Sequence, residues 1–145
     1  MPEGESRPLL IERPIVVRTY DIDFAHIVHN IVYFRWLEDL RSEMLAGVLP
    51  IEEILATGIS PILIRSEIDY RRPVRIGDLV VGRMWVAGLS RTRWTLAAEI
   101  VVEGQVCAAA RQSGYFADLK TLRAARVPER LRRAWEQSQL SYGLS

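Results

Sequence analysis

Cysteine occurs once in this chain of 145 residues, at Cys107, and lysine once, at Lys120. A single thiol permits no intrachain disulfide, so the core alone has to hold the fold, and a reducing cytoplasm is the simplest compartment. Basic charge is plentiful but almost entirely arginine, and 19 basic side chains stand against 18 acidic ones, for a net charge of +1. That balance lacks the concentrated basic excess that a nucleic-acid partner requires. No apolar run approaches the ~18 residues of a membrane span. Met1 to Pro8 is polar and acidic, without the apolar segment of a signal peptide. Several catalytic signatures are also missing: there is no GxSxG nucleophile elbow, no GxxxxGK[ST] phosphate loop and no GxGxxG dinucleotide turn. Cys107 lies in an alanine-rich run, Val106 to Ala110, which suits a buried inert thiol better than a nucleophile.

What remains is a chain that is 49% apolar. Its length suits one domain, able to bury about 70% of the surface its unfolded form exposes. Residues 1–13 carry Pro2, Gly4 and Pro8 without periodicity and read as a flexible arm, leaving 14–145 as the domain. Pro14 to Asp21 is a β-branched run expected to form the first strand. From Asn30 the period changes: Tyr33, Leu37, Leu40 and Met44 recur at helical spacing, with Arg35, Glu38, Asp39 and Ser42 opposite. This predicts an amphipathic helix from about Asn30 to Leu45, with Asn30 as its N-cap and Gly47 or Pro50 as its stop. After Gly58 four strands follow, over Pro61 to Arg72, Asp78 to Gly88, Thr92 to Val102 and Val106 to Leu119. They read as an antiparallel meander, with Leu89 to Arg91 and Glu103-Gly104 as hairpin links. A short helix over Val127 to Gln137 closes the chain, with Pro128 at its first turn. One long helix covers only one face of such a sheet. The apolar surface left over, with Trp85 and Trp94, predicts that a second copy packs against it.

The densest group of ionisable residues is the segment Tyr20-Asp21-Ile22-Asp23-Phe24-Ala25-His26-Ile27-Val28-His29-Asn30, between the first strand and the long helix. Three readings of it stand side by side. Asp21, Asp23, His26 and His29 are the residue types of a zinc or iron site, although their spacing matches no specific metal signature. The same residues also suit a polar turn that caps the helix. The third reading is a carboxylate aimed at a substrate held against the helix start. The first N–H groups of a helix lack intrahelical partners and carry partial positive charge, so they can stabilise an oxyanion. A carboxylate beside them can attack a carbonyl or activate water.

The stretch from Tyr20 to Arg41 resembles the signature of the 4-hydroxybenzoyl-CoA thioesterase-like branch of the hotdog superfamily. The acidic doublet is Asp21 and Asp23, the hydrophobic pair Ile27 and Val28, the polar pair His29 and Asn30, and Tyr33, Trp36, Glu38 and Arg41 complete the match. Downstream, Ile68-Asp69-Tyr70-Arg71-Arg72-Pro73, then Ile76-Gly77-Asp78, and finally Thr121 to Pro128 follow the same family in order. The resemblance implies an α+β hotdog fold, an antiparallel sheet wrapped around one long helix, with two subunits forming a continuous sheet and dimers pairing into a homotetramer. It implies hydrolysis of an acyl-CoA or acyl-carrier-protein thioester without a cofactor. By matching position Asp23 is the catalytic carboxylate, and the backbone N–H of Asn30 is the oxyanion donor. His26 departs from the pattern, which carries glycine there. His29 is read either as a substrate contact or as a plain turn residue, and Tyr33 is grouped with the substrate-binding side chains. Arg71, Arg72, Arg91 and Arg93 are candidates for the phosphates of coenzyme A, Arg91 and Arg93 foremost, or else solvated arginines at sheet edges. Two other functions fit the same scaffold: a hotdog dehydratase or hydratase, and a non-catalytic acyl-CoA binding protein.

Overall fold

The computed structural model describes residues 6–143. Strand β1 (Ile11–Ile15) leads through a 3-10 turn (Thr19–Asp21) and a loop into α1 (Val32–Val48) and then α2 (Ile51–Thr57). Strands β2 (Ile59–Tyr70), β3 (Val80–Leu89), β4 (Arg93–Val102), β5 (Gln105–Asp118) and β6 (Ala124–Ala125) follow, and α3 (Glu129–Gly143) ends the described chain. The sheet is antiparallel with strand order β1-β3-β4-β5-β2, and β6 is added to β5. Helix α1 lies across β3 and β1, giving the hotdog arrangement.

The period that announced α1 also sets its packing. Tyr33, Leu37, Leu40 and Met44 are all buried, together with Val32 and Trp36, whereas Arg35, Glu38, Asp39 and Ser42 are exposed. They meet an inner sheet face built from alternate residues, including Val80, Met84 and Val86 of β3, Trp94, Leu96, Ala98 and Ile100 of β4, and Ala108 and Phe116 of β5. The Glu103-Gly104 link turns between β4 and β5 with φ of +50° and +75°, the left-handed pair that a two-residue hairpin requires.

Three expectations need correction. The first strand lies earlier than Pro14 to Asp21: the ladder runs from Ile11 opposite Met84 to Ile15 opposite Val80 and stops because β3 begins there. Residues 11–13 therefore belong to the sheet and not to an arm. The four-strand meander is only three strands, β3-β4-β5. The connection after β2 is no tight turn, because Val74 and Arg75 are bound to the loop before α1 through Val28 N–H to Val74 C=O and an Ile27–Arg75 bridge. The chain thereby crosses the end of the sheet, and β2 pairs with the free side of β5 from Ile59 opposite Asp118 to Tyr70 opposite Ala108. Trp94 and Trp85, finally, are not apolar surface left over for a second copy: Trp94 is in the core under α1, and Trp85 is covered by the Arg7 guanidinium, 4.1 Å from its ring centre.

Cys107 is buried, and burial pushes its thiol pKa up. A protonated, inaccessible thiol is a poor nucleophile.

Candidate active site

The loop between β1 and α1 is folded back on itself. Ile22 pairs with Val28, and the N–H of His29 donates to the carbonyl of Asp21 at 2.8 Å. At its tip, His26 N–H donates to Asp23 C=O and Asp23 N–H donates to Ile27 C=O. That pattern, followed by a left-handed residue, is a three-residue hairpin loop. The left-handed residue is His26, at φ +62°. This is the position where the resembled family has glycine, and histidine is among the few side chains that enter this region with some frequency. The imidazole stands out in solvent.

The two aspartates of the doublet are placed differently. Asp21 ends the 3-10 turn and is 97% buried as judged by its 3% exposure. Its Oδ2 accepts the N–H of Arg18 at 2.8 Å, and its Oδ1 faces Arg35 Nη1 at 3.5 Å without a hydrogen-bond partner among the described residues. Asp23 is half-buried at the loop tip. Its Oδ1 accepts the N–H of Ala25 at 2.9 Å, an Asx turn that fixes the carboxylate while its other oxygen makes no hydrogen bond among the described residues. Asp21 is thus built into the loop, and Asp23 is the carboxylate presented outward.

Asn30 is not the N-cap of α1. The helix is capped at Ile31 and starts at Val32, and its entry is a tightened turn in which Val32 N–H donates to His29 C=O at 2.9 Å. His29 caps that turn with its side chain, Nδ1 accepting the N–H of Ile31 at 3.4 Å. An imidazole replaces the expected asparagine because it reaches the N–H two residues on, the geometry of a side-chain cap. The Asn30 N–H itself has no acceptor among the described residues, and its side chain is exposed. An unpaired N–H at the entry to a 17-residue helix is a group able to hold a developing oxyanion, and Asp23 lies in the loop that leads into that helix.

Tyr70, at the end of β2, was not singled out from the sequence. Its hydroxyl donates to the carbonyl of Asn30 at 3.0 Å, and its ring meets Tyr33 edge-on with centres 5.0 Å apart. Nothing in the sequence marks this beyond its place in the Ile68 to Pro73 stretch. Tyr33 is buried beneath the loop, and burial pushes its phenol up to about 12. It supports the helix entry from below and offers no ionised group to a ligand.

The arginines divide. Arg71 and Arg72 are exposed and follow Tyr70, and the N–H of each donates to Cys107 C=O, so they stand at the same end of the sheet as Asp23. Arg91 and Arg93 stand at the other end, since the β3–β4 hairpin is separated from the Val80–Val102 end by the length of those strands, about 30 Å. One protomer does not bring them to Asp23. Their hairpin is instead tied down: Val127 N–H donates to Arg91 C=O at 2.9 Å, and Arg132 of α3 reaches Ser90 C=O. Among the described residues no three His, Cys, Asp or Glu side chains are grouped so as to hold a metal ion.

A family model described as a thioesterase-like superfamily matches residues 17–135. The chain belongs to that superfamily. Thioester hydrolysis is therefore its reaction class, on a hotdog fold. The chain is 30% identical over 129 residues to the long-chain acyl-CoA thioesterase FadM of Escherichia coli, covering 88% of this chain and 98% of that one. Among solved structures, a hypothetical protein TT1821 from Thermus thermophilus is 28% identical with a TM-score of 0.77, covering 88% of this thioesterase-like chain and 96% of its own. A 1,4-dihydroxy-2-naphthoyl-CoA thioesterase from Synechocystis superposes with a TM-score of 0.78 over 86% of this chain and 94% of its own; at 20% identity the likeness is one of fold. No described helix is long and apolar enough to cross a membrane.

Proposed function

We propose that this protein hydrolyses acyl-CoA thioesters, with Asp23 as nucleophile or general base and the Asn30 N–H as oxyanion donor. The observation that carries the reading is an outward carboxylate, fixed by Ala25 N–H, in the same loop that ends on an N–H unpaired among the described residues at the entry to α1. As the carbonyl carbon is attacked, its oxygen gains charge, and a preorganised N–H stabilises that charge more than it stabilises the neutral substrate. The proton balance depends on the role of Asp23. As a base it takes the proton of the attacking water; as a nucleophile it forms an acyl anhydride that water then opens. In both cases the products are the free acid and the CoA thiol.

A saturated acyl-CoA and its 2-enoyl counterpart, each assayed with a thiol-detecting reagent, separate this reading from its rivals. Hydrolysis releases thiol from both. Loss of enoyl absorbance without thiol would mean a hydratase, and binding without either would mean a carrier or sensor. Activity should survive prolonged chelation; activity lost together with a stoichiometric metal would return Asp21, Asp23, His26 and His29 to consideration as ligands.

The working unit is proposed to be at least a dimer, continued to a tetramer, in the cytoplasm. Strand β2 ends the sheet with 12 residues and an edge that is unpaired among the described residues, and Leu63 and Ile64 of β2 and Ile31 and Phe34 at the start of α1 are exposed. Such an edge invites pairing with a second copy. Obligate interfaces commonly bury more than about 2,000 Å², so the assembly should persist when sedimentation is measured at nanomolar concentration. A stable, active monomer there would contradict it.

Of the four candidate arginines, Arg71 and Arg72 stand at the Asp23 end of the sheet within a protomer; Arg91 and Arg93 would act only from a partner. Arg71→Ala should raise KM for an acyl-CoA with little change in kcat, because contacts remote from the reacting carbon act on binding. The effect should vanish for an acyl-pantetheine lacking the nucleotide. Equal impairment on both substrates would assign Arg71 to structure.

A further inference from the structure

The half of the inner sheet face formed by β5 and β2 is bridged by a polar chain that the catalytic reading does not use. Arg41 of α1 donates through Nη1 to Gln112 Oε1 at 2.9 Å, and Gln112 Nε2 donates to Ser66 Oγ of β2 at 2.9 Å. Gln112 is 4% exposed, in the middle of β5, among Leu96 and Ala110. Arg41 is held from its other side by Glu38. These groups form a crossbar from the helix to the edge of the sheet. A buried amide in such a place is retained only when its hydrogen bonds are made.

The crossbar has apolar side chains on both sides. On the catalytic side lie Tyr70 and Ile68 of β2, Ile31 at the cap of α1 and Phe34 in its first turn, with Tyr70, Ile31 and Phe34 exposed in the single chain. On the far side is a wholly apolar cavity of about 40 Å³, walled by Met44, Leu45, Val48, Trp94 and Phe116, with Arg41 at its border. Two independent paths give the distance between the helix entry and the crossbar. Four residues of β2, from Tyr70 to Ser66, span about 13 Å at ~3.3 Å each. Nine residues of α1, from Val32 to Arg41, span about 13.5 Å at ~1.5 Å each. An extended acyl chain advances roughly 1.3 Å per carbon, as tetrahedral bonds near 1.5 Å require, so about ten carbons fill this length.

We propose that the Arg41–Gln112–Ser66 crossbar sets the acyl-length limit of the enzyme, admitting chains of up to about ten carbons and closing the cavity beyond it to longer ones. The inference rests on the thioesterase reading, with the thioester carbonyl at the Asn30 N–H. A longer tail has to strip hydrogen bonds from a buried amide and a guanidinium, whereas a shorter one meets only apolar walls. Arg41 and Gln112 are thus specificity-determining residues that do not touch the reacting atoms.

The test is a chain-length profile of kcat/KM, from hexanoyl- to hexadecanoyl-CoA, for the wild type, Arg41→Met and Gln112→Leu. The wild type should fall at least about 10-fold between decanoyl- and tetradecanoyl-CoA, within the discrimination that pocket walls achieve. Either variant should recover most of that loss on tetradecanoyl-CoA, while hexanoyl-CoA changes less than about 3-fold, on the scale of a contact not used by the short chain. A wild type as active on tetradecanoyl- as on decanoyl-CoA would overturn the proposal without any variant having to fold. So would variant profiles parallel to the wild type. A wild type that releases thiol from none of these substrates would instead overturn the thioesterase reading on which the proposal stands.

Discussion

Asp23→Asn should lower turnover by at least about 100-fold, the scale of losing a base or nucleophile, while leaving the fold and substrate binding intact. The substitution is close to isosteric, and the amide oxygen can still accept the Ala25 N–H that holds Asp23 Oδ1. The hairpin loop from Asp23 to Ile27 is otherwise made by backbone bonds that do not involve the side chain. What disappears is a basic or nucleophilic oxygen. Steady-state kinetics with a binding titration on the same preparation checks both halves. Full activity would remove Asp23 from the mechanism, and lost binding would assign it to the architecture of the loop.

Asp21→Ala should give the opposite profile, a loss of stability larger than its effect on chemistry. Asp21 is buried, and it is the acceptor of Arg18 N–H and the ion partner of Arg35. Removing it leaves a backbone donor unsatisfied and costs about 1–3 kcal/mol, which in a chain this size is a fall in Tm of roughly 3–10 °C. Asp21→Asn keeps an acceptor, so its turnover should stay within about 10-fold of wild type, well short of the loss expected for a catalytic group. Thermal denaturation of the two variants beside Asp23→Asn is the check. An Asp21→Asn variant as inactive as Asp23→Asn would mean that the doublet acts as one unit.

The contrast between these two aspartates shows where the sequence stops being readable. Two residues apart and chemically identical, they differ only because a 3-10 turn carries Asp21 inward and a hairpin tip carries Asp23 outward. Local pattern was sufficient for α1, since the Tyr33, Leu37, Leu40, Met44 spacing records burial directly, and for Glu103-Gly104, where backbone conformation selects the residues. It was insufficient for the place of β2. Alternation within β2 says which side faces the core, but not that β5 would be its partner across the end of the sheet. Long-range side-chain pairs were invisible for the same reason: Tyr70 and Asn30 are 40 residues apart, and Arg41 and Gln112 are 71 apart. His29 was legible as polar, but its service as a cap depends on where the tightened helix entry places the Ile31 N–H.

The measurement that bears most directly on the account is steady-state thiol release from decanoyl-CoA by the purified wild-type protein, with the free acid quantified in parallel. The account predicts sustained turnover, with thiol and decanoic acid formed in equal amounts. Saturable binding of decanoyl-CoA with neither product formed, at any protein concentration that keeps the oligomer intact, would contradict it.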